Sequence, residues 1–233
     1  MNLYKYSMVN DNTKTNLKNN QIYIQSPNKF NDPYEFIFKF GVKDEIFVDF
    51  LKLFYKDEYT IFLEKNMSKE EILEYTRDSY FSEFWKSLGA VCLTENENDD
   101  LMWAHYGGNH KGICIEYDKN KHPFRLCEQV EYINEVVNIE IDNLSKFEMQ
   151  IPIIFNKVFL RKNTIWKYEN EWRLVSKVGS VKYPPDAIKS ITFGFFCDEK
   201  SKSEIYEAIS HLDIKYFNVV RSKDLYWIKK QPI

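Results

Sequence analysis

Strand-like and helix-like apolar patterns follow one another irregularly along this chain, and that irregularity constrains the fold more than any other feature of the sequence. Apolar runs of strand length fall at residues 3–6, 21–25, 90–94, 112–117, 172–176 and 190–196. Apolar residues at helical spacing fall at residues 43–56, 68–87, 145–162 and 201–211. A parallel sheet needs a regular strand–helix–strand rhythm, which this chain lacks. We therefore predict an α+β fold: a single domain over residues 1–233, with a mixed or mainly antiparallel sheet and packed helices.

Two of the predicted helices carry clear end signals. Ser68 and Glu71 have the spacing of a capping box, which marks the start of a helix. The segment LMWAHY follows Asp99 and Asp100 and precedes two glycines at 107 and 108, so we predict a short helix that ends at these glycines. A central motif of the chain is therefore expected on a short helix followed by a glycine turn.

Charge and cysteine content exclude several classes of protein. The 233 residues carry a net charge of −3. A general nucleic-acid binder is usually strongly basic, so this charge argues against that class. A local basic groove remains an alternative, because net charge averages over all faces of the protein. The four cysteines are widely spaced and form no C-x-x-C pair, which argues against a structural zinc site and favours a reduced compartment. The N-terminus has no apolar signal segment, and no run of about 18 apolar residues occurs. We therefore expect a cytoplasmic protein with no membrane partner.

The first of three clusters that could carry chemistry is the loop sequence FNDPYE. Loops on a rigid scaffold often present ligand-binding side chains, and we predict that Asn31, Asp32 and Tyr34 contact the substrate. A structural reading is also open, since Asn31 or Asp32 can form an Asx turn and Pro33 can fix its exit. In that reading, Phe30 and Tyr34 anchor the loop to the core.

The second cluster is MWAHYGGNHKG, which combines two histidines, a lysine and three glycines in eleven residues. His105 and His110 are candidate catalytic acid–base groups. We expect His105 to be part-buried, with a hydrogen-bonded core histidine as its structural alternative. Trp103, Tyr106 and Lys111 are candidate substrate-binding residues. The paired glycines allow the backbone to approach a ligand closely, but their spacing matches neither a dinucleotide fingerprint nor a P-loop. No third ligand stands at a familiar spacing from the histidines, so we predict no metal site.

The third cluster is WKYENEWR. In a strand, Glu169, Glu171 and Arg173 point to one face, and alternate residues lie roughly 7 Å apart. Neighbouring carboxylates can have split pKa values, which suits acid–base work or stabilisation of a cation. We predict Glu171 and Glu169 as catalytic residues, and Trp172 and Arg173 as substrate-binding residues. The structural alternative is a Glu–Arg ion pair that braces the sheet, with Trp172 in the core.

Taken in order, LYKY, FNDPYE, MWAHYGGNHKGICIEYD and WKYENEWRL resemble a bacterial domain-of-unknown-function family, number 2971. The resemblance covers most of the chain, from Leu3 to about Phe196. Members of that family are often met near abortive-infection and phage-defence genes. The resemblance therefore implies an antiviral defence role and partners from the same locus, but no settled activity.

The ENE segment that begins at Glu169 is similar to the Glu-x-Glu motif that ADP-ribosyltransferases carry on a late strand. Those enzymes also use an early-strand Arg or His and a middle-strand Ser or Tyr. Here the early strand offers Lys5 and Tyr6 and the middle strand offers Thr94, which are departures from that pattern. The similarity implies NAD as a candidate substrate, because cleavage of its nicotinamide–ribose bond develops oxocarbenium character that a carboxylate stabilises. Tyrosine and tryptophan faces suit stacking on nicotinamide or adenine. No other cofactor is predicted.

Three functions remain open on the sequence. The first is a toxin-like effector enzyme of the ADP-ribosyltransferase kind, which acts on NAD or nucleic acid. The second is a nuclease or other hydrolase. The third is a non-catalytic module that senses a small ligand or a partner. The first needs Glu171 exposed in an aromatic cleft. The second needs Asp32, Glu35 and a histidine to converge, and the third needs a pocket without convergent ionisable groups.

The paired glutamates favour the effector enzyme, acting on a small nucleotide or on nucleic acid. We expect Glu171 to be more sensitive to substitution than Glu169. We also predict that the three clusters meet around one cleft, because they hold the densest mix of ionisable and aromatic residues.

Overall fold

A computed structural model describes residues 1–225 and 227–233, with the side chains of 83–85 and 148 left out of the description. The helices of the described residues are α1 (Asp11–Lys18), α2 (Phe47–Tyr55), α3 (Thr60–Glu64), α4 (Lys69–Ser87), α5 (Asp100–His105), α6 (Phe147–Phe159) and α7 (Glu199–Ala208). The strands are β1 (Asn2–Ser7), β2 (Gln21–Ile24), β3 (Phe38–Val42), β4 (Leu88–Thr94), β5 (Ile113–Asp118), β6 (Glu128–Gln129), β7 (Glu131–Ile133), β8 (Val137–Ile141), β9 (Arg161–Asn163), β10 (Glu171–Lys177), β11 (Gly179–Lys182), β12 (Ile188–Phe193), β13 (Lys215–Arg221) and β14 (Ile228–Pro232). Among the described helices, none has the length and apolar content that crossing a membrane requires.

Contacts within the chain divide it into two compact units. Unit 1 contains Met1–Gln25, Ala90–Val130 and Ile165–Ile233, and unit 2 contains Ser26–Gly89 and Glu131–Thr164. The segments FNDPYE and MWAHYGGNHKG therefore belong to different units, and WKYENEWR belongs to unit 1.

Unit 1 is built on an eight-stranded sheet with the order β14-β13-β12-β5-β1-β4-β10-β6. β5 pairs with both β1 and β12 in antiparallel fashion, whereas β12 and β13 are parallel. The apolar run at 112–117 was predicted to be a central strand, and β5 lies in the interior of the sheet. A strand with few polar residues belongs there, because both of its faces are covered. The predicted α+β fold with a mainly antiparallel sheet is confirmed.

Both faces of this sheet carry buried side chains. One face holds the main core of unit 1, with Leu3, Ile113 and Ile191 fully buried. The other face packs against α5 through a smaller cluster that includes Tyr6 and Trp103. Residues that alternate along β1 thus serve two different cores, as the period of a strand dictates.

Unit 2 has a phenylalanine-rich core between its helices and the parallel pair β3–β8. Phe81 of α4 contacts Phe38, Phe40 and Phe155, with ring centroids 5.1, 5.5 and 6.2 Å away. The predicted capping box of α4 is present: the backbone N–H of Ser68 donates to Glu71 Oε2 at 2.7 Å, and the N–H of Glu71 donates to Ser68 Oγ at 3.2 Å.

Candidate functional site

Glu169 and Glu171 stand in different elements of unit 1. A 3₁₀ segment, Thr164–Glu169, ends at Glu169, and β10 begins at Glu171. Asn170 between them has φ +43°, a left-handed conformation that asparagine tolerates better than most residues. The strand predicted at 172–176 begins at Glu171, and the common face that a continuous strand would give to Glu169, Glu171 and Arg173 does not extend to Glu169. The left-handed residue interrupts the alternation, and only Glu171 and Arg173 share a strand face.

Glu171 and Arg173 form a buried ion pair. Arg173 Nε donates to Glu171 Oε1 at 2.6 Å, and Arg173 Nη2 lies 3.4 Å from Glu171 Oε2. Their side chains are 3% and 0% exposed. Residues two apart on a strand point to the same face, so the spacing of this pair is sufficient to bring the charges together. The Glu–Arg brace that the sequence left open as a structural alternative is thus present, and Glu171 is not exposed in a cleft.

Glu169 is held by a tyrosine from the second cluster. Tyr106 donates its hydroxyl hydrogen to Glu169 Oε1 at 2.6 Å, and Glu169 is 2% exposed. The contact joins the end of α5 to the turn that precedes β10, although the two residues are far apart in sequence. The second and third clusters therefore meet at Glu169.

A polar loop after β4 fixes the backbone around Glu169. Thr94 Oγ1 donates to the carbonyl of Glu169, and Asn96 Nδ2 donates to the carbonyl of Tyr168 at 2.6 Å. Asn170 Nδ2 donates in turn to Asn96 Oδ1 at 3.0 Å. Asn96 was missed in the sequence, where its only signal is a polar run directly after an apolar strand.

His105 lies among three aromatic rings. The ring centroids of Tyr106, Trp166 and Tyr168 lie 6.1, 6.3 and 6.4 Å from that of His105. The expectation that His105 is part-buried is wrong, because the side chain is exposed. Helix α5 directs Trp103 into the core, and a residue two positions later lies about 200° around the helix axis. His105 is therefore available to a ligand that stacks on these rings.

Trp103 and His110 take part in packing. Trp103 is fully buried and meets Tyr6 edge to face, with ring centroids 5.0 Å apart. His110 stacks on Trp103 at 6.5 Å and meets the edge of Phe196 at 6.3 Å. Lys111 lies close enough to Asp198 to contribute to the lowered pKa of that carboxyl group, mainly caused by the backbone N–H of Ser201. Trp103 and His110 therefore pack against other aromatic rings, and Lys111 lies near the start of α7.

Trp172 lies on the opposite face of β10 from the ion pair. It is half-buried against the main core of unit 1. Its indole N–H donates to Glu95 Oε1 at 2.7 Å, and the Lys119 amine lies 4.7 Å from the ring centroid. Trp172 therefore packs against the core, as the structural alternative for this residue proposed.

Lys5 is the charged residue of the early strand β1. Its amine lies 3.5 Å from the carbonyl oxygen of Cys92 on β4. Burial lowers the pKa of the Lys5 amine, while the nearby Cys92 and Glu171 groups act in the opposite direction. The sheet order places β1, β4 and β10 side by side, but Lys5 lies on the face of β1 that carries Leu3 and the main core, opposite the face of the ion pair.

The FNDPYE loop contains the Asx turn that the sequence left open. Asp32 Oδ1 accepts a hydrogen bond from the N–H of Tyr34 at 2.8 Å, and Tyr34 is 70% exposed. Glu35 lies 3.4 Å from the Lys162 amine, and both side chains are buried. Asn31 is exposed. This loop belongs to unit 2, and its participation in the same cleft as the other two clusters stays a prediction.

Cys127 and Cys197 lie where burial keeps their thiols protonated. Burial raises the pKa of Cys127 to about 12 and that of Cys197 to about 11, so these thiols stay protonated near neutral pH. Among the described side chains, which exclude 83–85, 148 and 226, no group of three or more His, Cys, Asp or Glu is arranged to hold a metal ion.

Comparison with known proteins supports the family resemblance over part of the chain. Residues 102–174 match the family described as "Protein of unknown function (DUF2971)". No curated protein and no solved structure matches the chain. The matched segment contains the second and third clusters, and it includes the Tyr106–Glu169 contact.

Proposed function

We propose that the chain is a phage-defence or toxin-like effector enzyme that acts on a nucleotide substrate, NAD or nucleic acid, in the manner of an ADP-ribosyltransferase. The observation that carries this proposal is the hydrogen bond between Tyr106 and Glu169 beside the exposed, aromatic-flanked His105. A carboxylate held by a tyrosine next to stacking surfaces has the parts that cleavage of a glycosidic bond requires.

The arrangement of strands adds support. ADP-ribosyltransferases draw their site residues from an early, a middle and a late strand, and the corresponding β1, β4 and β10 are neighbours here. Thr94 of β4 donates a hydrogen bond to the backbone carbonyl of Glu169. Lys5 in place of Arg or His remains a departure from that pattern.

The geometry changes the relative roles of the two glutamates. Both oxygens of Glu171 face Arg173, so this pair orders β10 and positions the preceding turn. Glu169 ends that turn and is joined through Tyr106 to the aromatic surroundings of His105. Both glutamates are buried, and only Glu169 is joined through Tyr106 to the exposed His105, so we assign the chemistry to Glu169 beneath that surface and treat Glu171 as a positioning residue.

In the proposed reaction, the bond between the ribose anomeric carbon and nicotinamide nitrogen breaks, and its electron pair leaves with nicotinamide. The Glu169 carboxylate stabilises the positive charge that develops on the ribose. A hydroxyl of the acceptor, or water, then forms the new bond to the anomeric carbon. His105 accepts the proton that this hydroxyl loses, as a general base.

A non-catalytic nucleotide sensor is the second candidate, because one observation favours it. The Glu171–Arg173 pair is almost completely buried, as expected for a structural brace. Under this alternative, the rings around His105 bind the nucleotide by stacking, and no bond is broken.

The proposed function is tested by expressing the full chain in a bacterial host and measuring growth and cellular NAD. Wild type should deplete NAD, and Glu169→Gln should lower the rate at least about 100-fold, because it removes charge while preserving shape. Tyr106→Phe should lower it about tenfold through loss of one charge-assisted hydrogen bond. Glu199→Gln is the matched control, since that glutamate is 88% exposed on α7.

Each alternative has a distinct outcome in this experiment. Undiminished NAD consumption by a folded Glu169→Gln protein would remove Glu169 from the chemistry. Constant NAD with degraded or modified RNA or DNA would identify nucleic acid as the substrate. Constant NAD together with calorimetric binding of NAD by the purified chain would support the sensor.

A further inference from the structure

A cavity of about 140 Å³ lies beside β1, on the face of the sheet that carries the main core of unit 1. Its walls include the buried side chains of Leu17, Ile22 and Ile115. Asn10 and Asn12 also line the cavity and are exposed, so it opens to solvent near the start of α1. Cavities of about 150 Å³ in other proteins hold a molecule the size of benzene. The volume therefore suits a ligand of about six non-hydrogen atoms.

Of the described residues that line this cavity, only Lys5 has a basic or acidic side chain. Its amine lies 3.5 Å from the carbonyl oxygen of Cys92, and no described carboxylate lies within ion-pair distance of it. Burial lowers the pKa of this amine, because desolvation disfavours the charged form. A buried ammonium without an opposite charge is costly, so an anion in the cavity would supply a contact that the chain itself leaves out.

Two asparagines that line the cavity have amide oxygens already bonded within the chain. Asn10 Oδ1 accepts from the backbone N–H of Thr13 at 2.9 Å, and Asn16 Oδ1 accepts from Gln21 Nε2 at 3.1 Å. The NH₂ group of each amide is therefore left to donate. Ser7 also lines the cavity, and its hydroxyl can donate as well. An ammonium together with these donors favours a ligand whose polar end is negatively charged and accepts hydrogen bonds.

We propose that this cavity binds a small organic carboxylate. The carboxylate group pairs with the Lys5 ammonium, and the short apolar part of the ligand packs against Leu17 and Ile115. One ammonium matches one anionic group, and the buried apolar walls favour a carbon skeleton over an inorganic ion. The cavity lies on the opposite face of β1 from Tyr6 and α5, so it is separate from the aromatic surroundings of His105. This binding site is independent of the proposed function.

The choice of ligand is tested by isothermal titration calorimetry of the full chain with butyrate, a carboxylate of this size, and with butyramide, its uncharged isostere. We expect butyrate to bind at one site per chain. Butyramide should bind at least about tenfold more weakly, because it lacks the charge-assisted contact with Lys5. Inorganic phosphate, an anion without an apolar part, should also bind at least about tenfold more weakly. Absence of butyrate binding, or an equal or higher affinity for butyramide or phosphate, overturns the proposal.

The location of the site is tested by the same titration on two lysine variants. Lys5→Met removes the ammonium and keeps a long side chain, so it should weaken butyrate binding at least about tenfold. The matched control Lys18→Met should leave the affinity unchanged, since Lys18 is exposed at the end of α1. Without butyrate, Lys5→Met should have a higher thermal unfolding midpoint than wild type, because it removes an unpaired buried charge. Unchanged butyrate affinity in Lys5→Met, or an equal loss in both variants, overturns the proposal.

Discussion

At the scale of single residues, the third cluster shows how neighbouring charges acquire different environments. Arg173 has no exposed surface and holds Glu171 through both carboxylate oxygens. Glu169 is equally buried, and Tyr106 donates a hydrogen bond to its side chain. Charged groups away from water depend on such partners, because an unpaired buried charge is very costly. Conservative substitutions at these positions therefore separate structural from chemical roles.

We predict that Glu171→Gln lowers the free energy of unfolding by about 3 kcal/mol, because the buried Arg173 loses its charged contact with Glu171. The double variant Glu171→Leu/Arg173→Met removes both charges and should recover part of that loss. Urea denaturation followed by circular dichroism measures both variants, with Glu199→Gln as the exposed control. An unchanged unfolding midpoint for Glu171→Gln would show that the ion pair contributes no net stability.

At the scale of elements, the glycines of the second cluster serve close packing of the chain against itself. A Cβ atom at position 107 would lie 2.6 Å from Trp103 Cε3, and one at Gly112 would lie 2.1 Å from the carbonyl oxygen of Ser7. Gly108 has φ +60°, a left-handed backbone conformation that glycine adopts more readily than other residues because it has no Cβ atom. Close backbone approach was expected here for a ligand, but the approaching atoms belong to α5 and β1.

We predict that Gly112→Ala lowers the free energy of unfolding by about 2–3 kcal/mol, because β1 and the residue before β5 must move apart. Gly41→Ala is the matched control in β3, since the nearest atom to its Cβ would be Ile139 O at 3.8 Å. Its effect should stay within about 0.5 kcal/mol. Chemical denaturation of the two variants gives the comparison, and similar losses for both would contradict the packing argument.

At the scale of the whole molecule, several carboxylates are stabilised in their charged form by backbone N–H groups. The N–H groups of Ser68, Asn120 and Ser201 are the main cause of lowered pKa values at Glu71, Asp118 and Asp198, respectively. A carboxyl group whose pKa is lower in the folded state contributes stability above its unfolded pKa. That contribution is lost as the pH falls through the folded pKa.

We therefore predict that the thermal unfolding midpoint falls as the pH is lowered below about 4, where these carboxyl groups take up protons. A triple variant, Glu71→Gln, Asp118→Asn and Asp198→Asn, should have a flatter dependence on pH because it lacks the three titrating groups. Thermal melts in matched buffers at constant ionic strength measure both proteins. An identical slope would place the acid sensitivity elsewhere in the molecule.

Features that depend on a short stretch of chain were determined by the sequence alone. The capping box of α4 needs only the spacing of Ser68 and Glu71, and the ion pair of β10 needs only that of Glu171 and Arg173. The apolar run of β5 similarly identified a central strand. In each case, the period of the helix or strand places the interacting groups together whatever the rest of the chain does.

Features that join distant segments were decided by the tertiary structure. Tyr106 meets Glu169 across 63 residues of sequence, and Asn96 supports the same turn from the loop after β4. The left-handed Asn170 removes Glu169 from the predicted strand, and the orientation of α5 exposes His105. A local pattern determines which way a side chain points along its own element. The packing of whole elements determines which group it meets there, because that choice depends on long-range contacts that no short window of sequence contains.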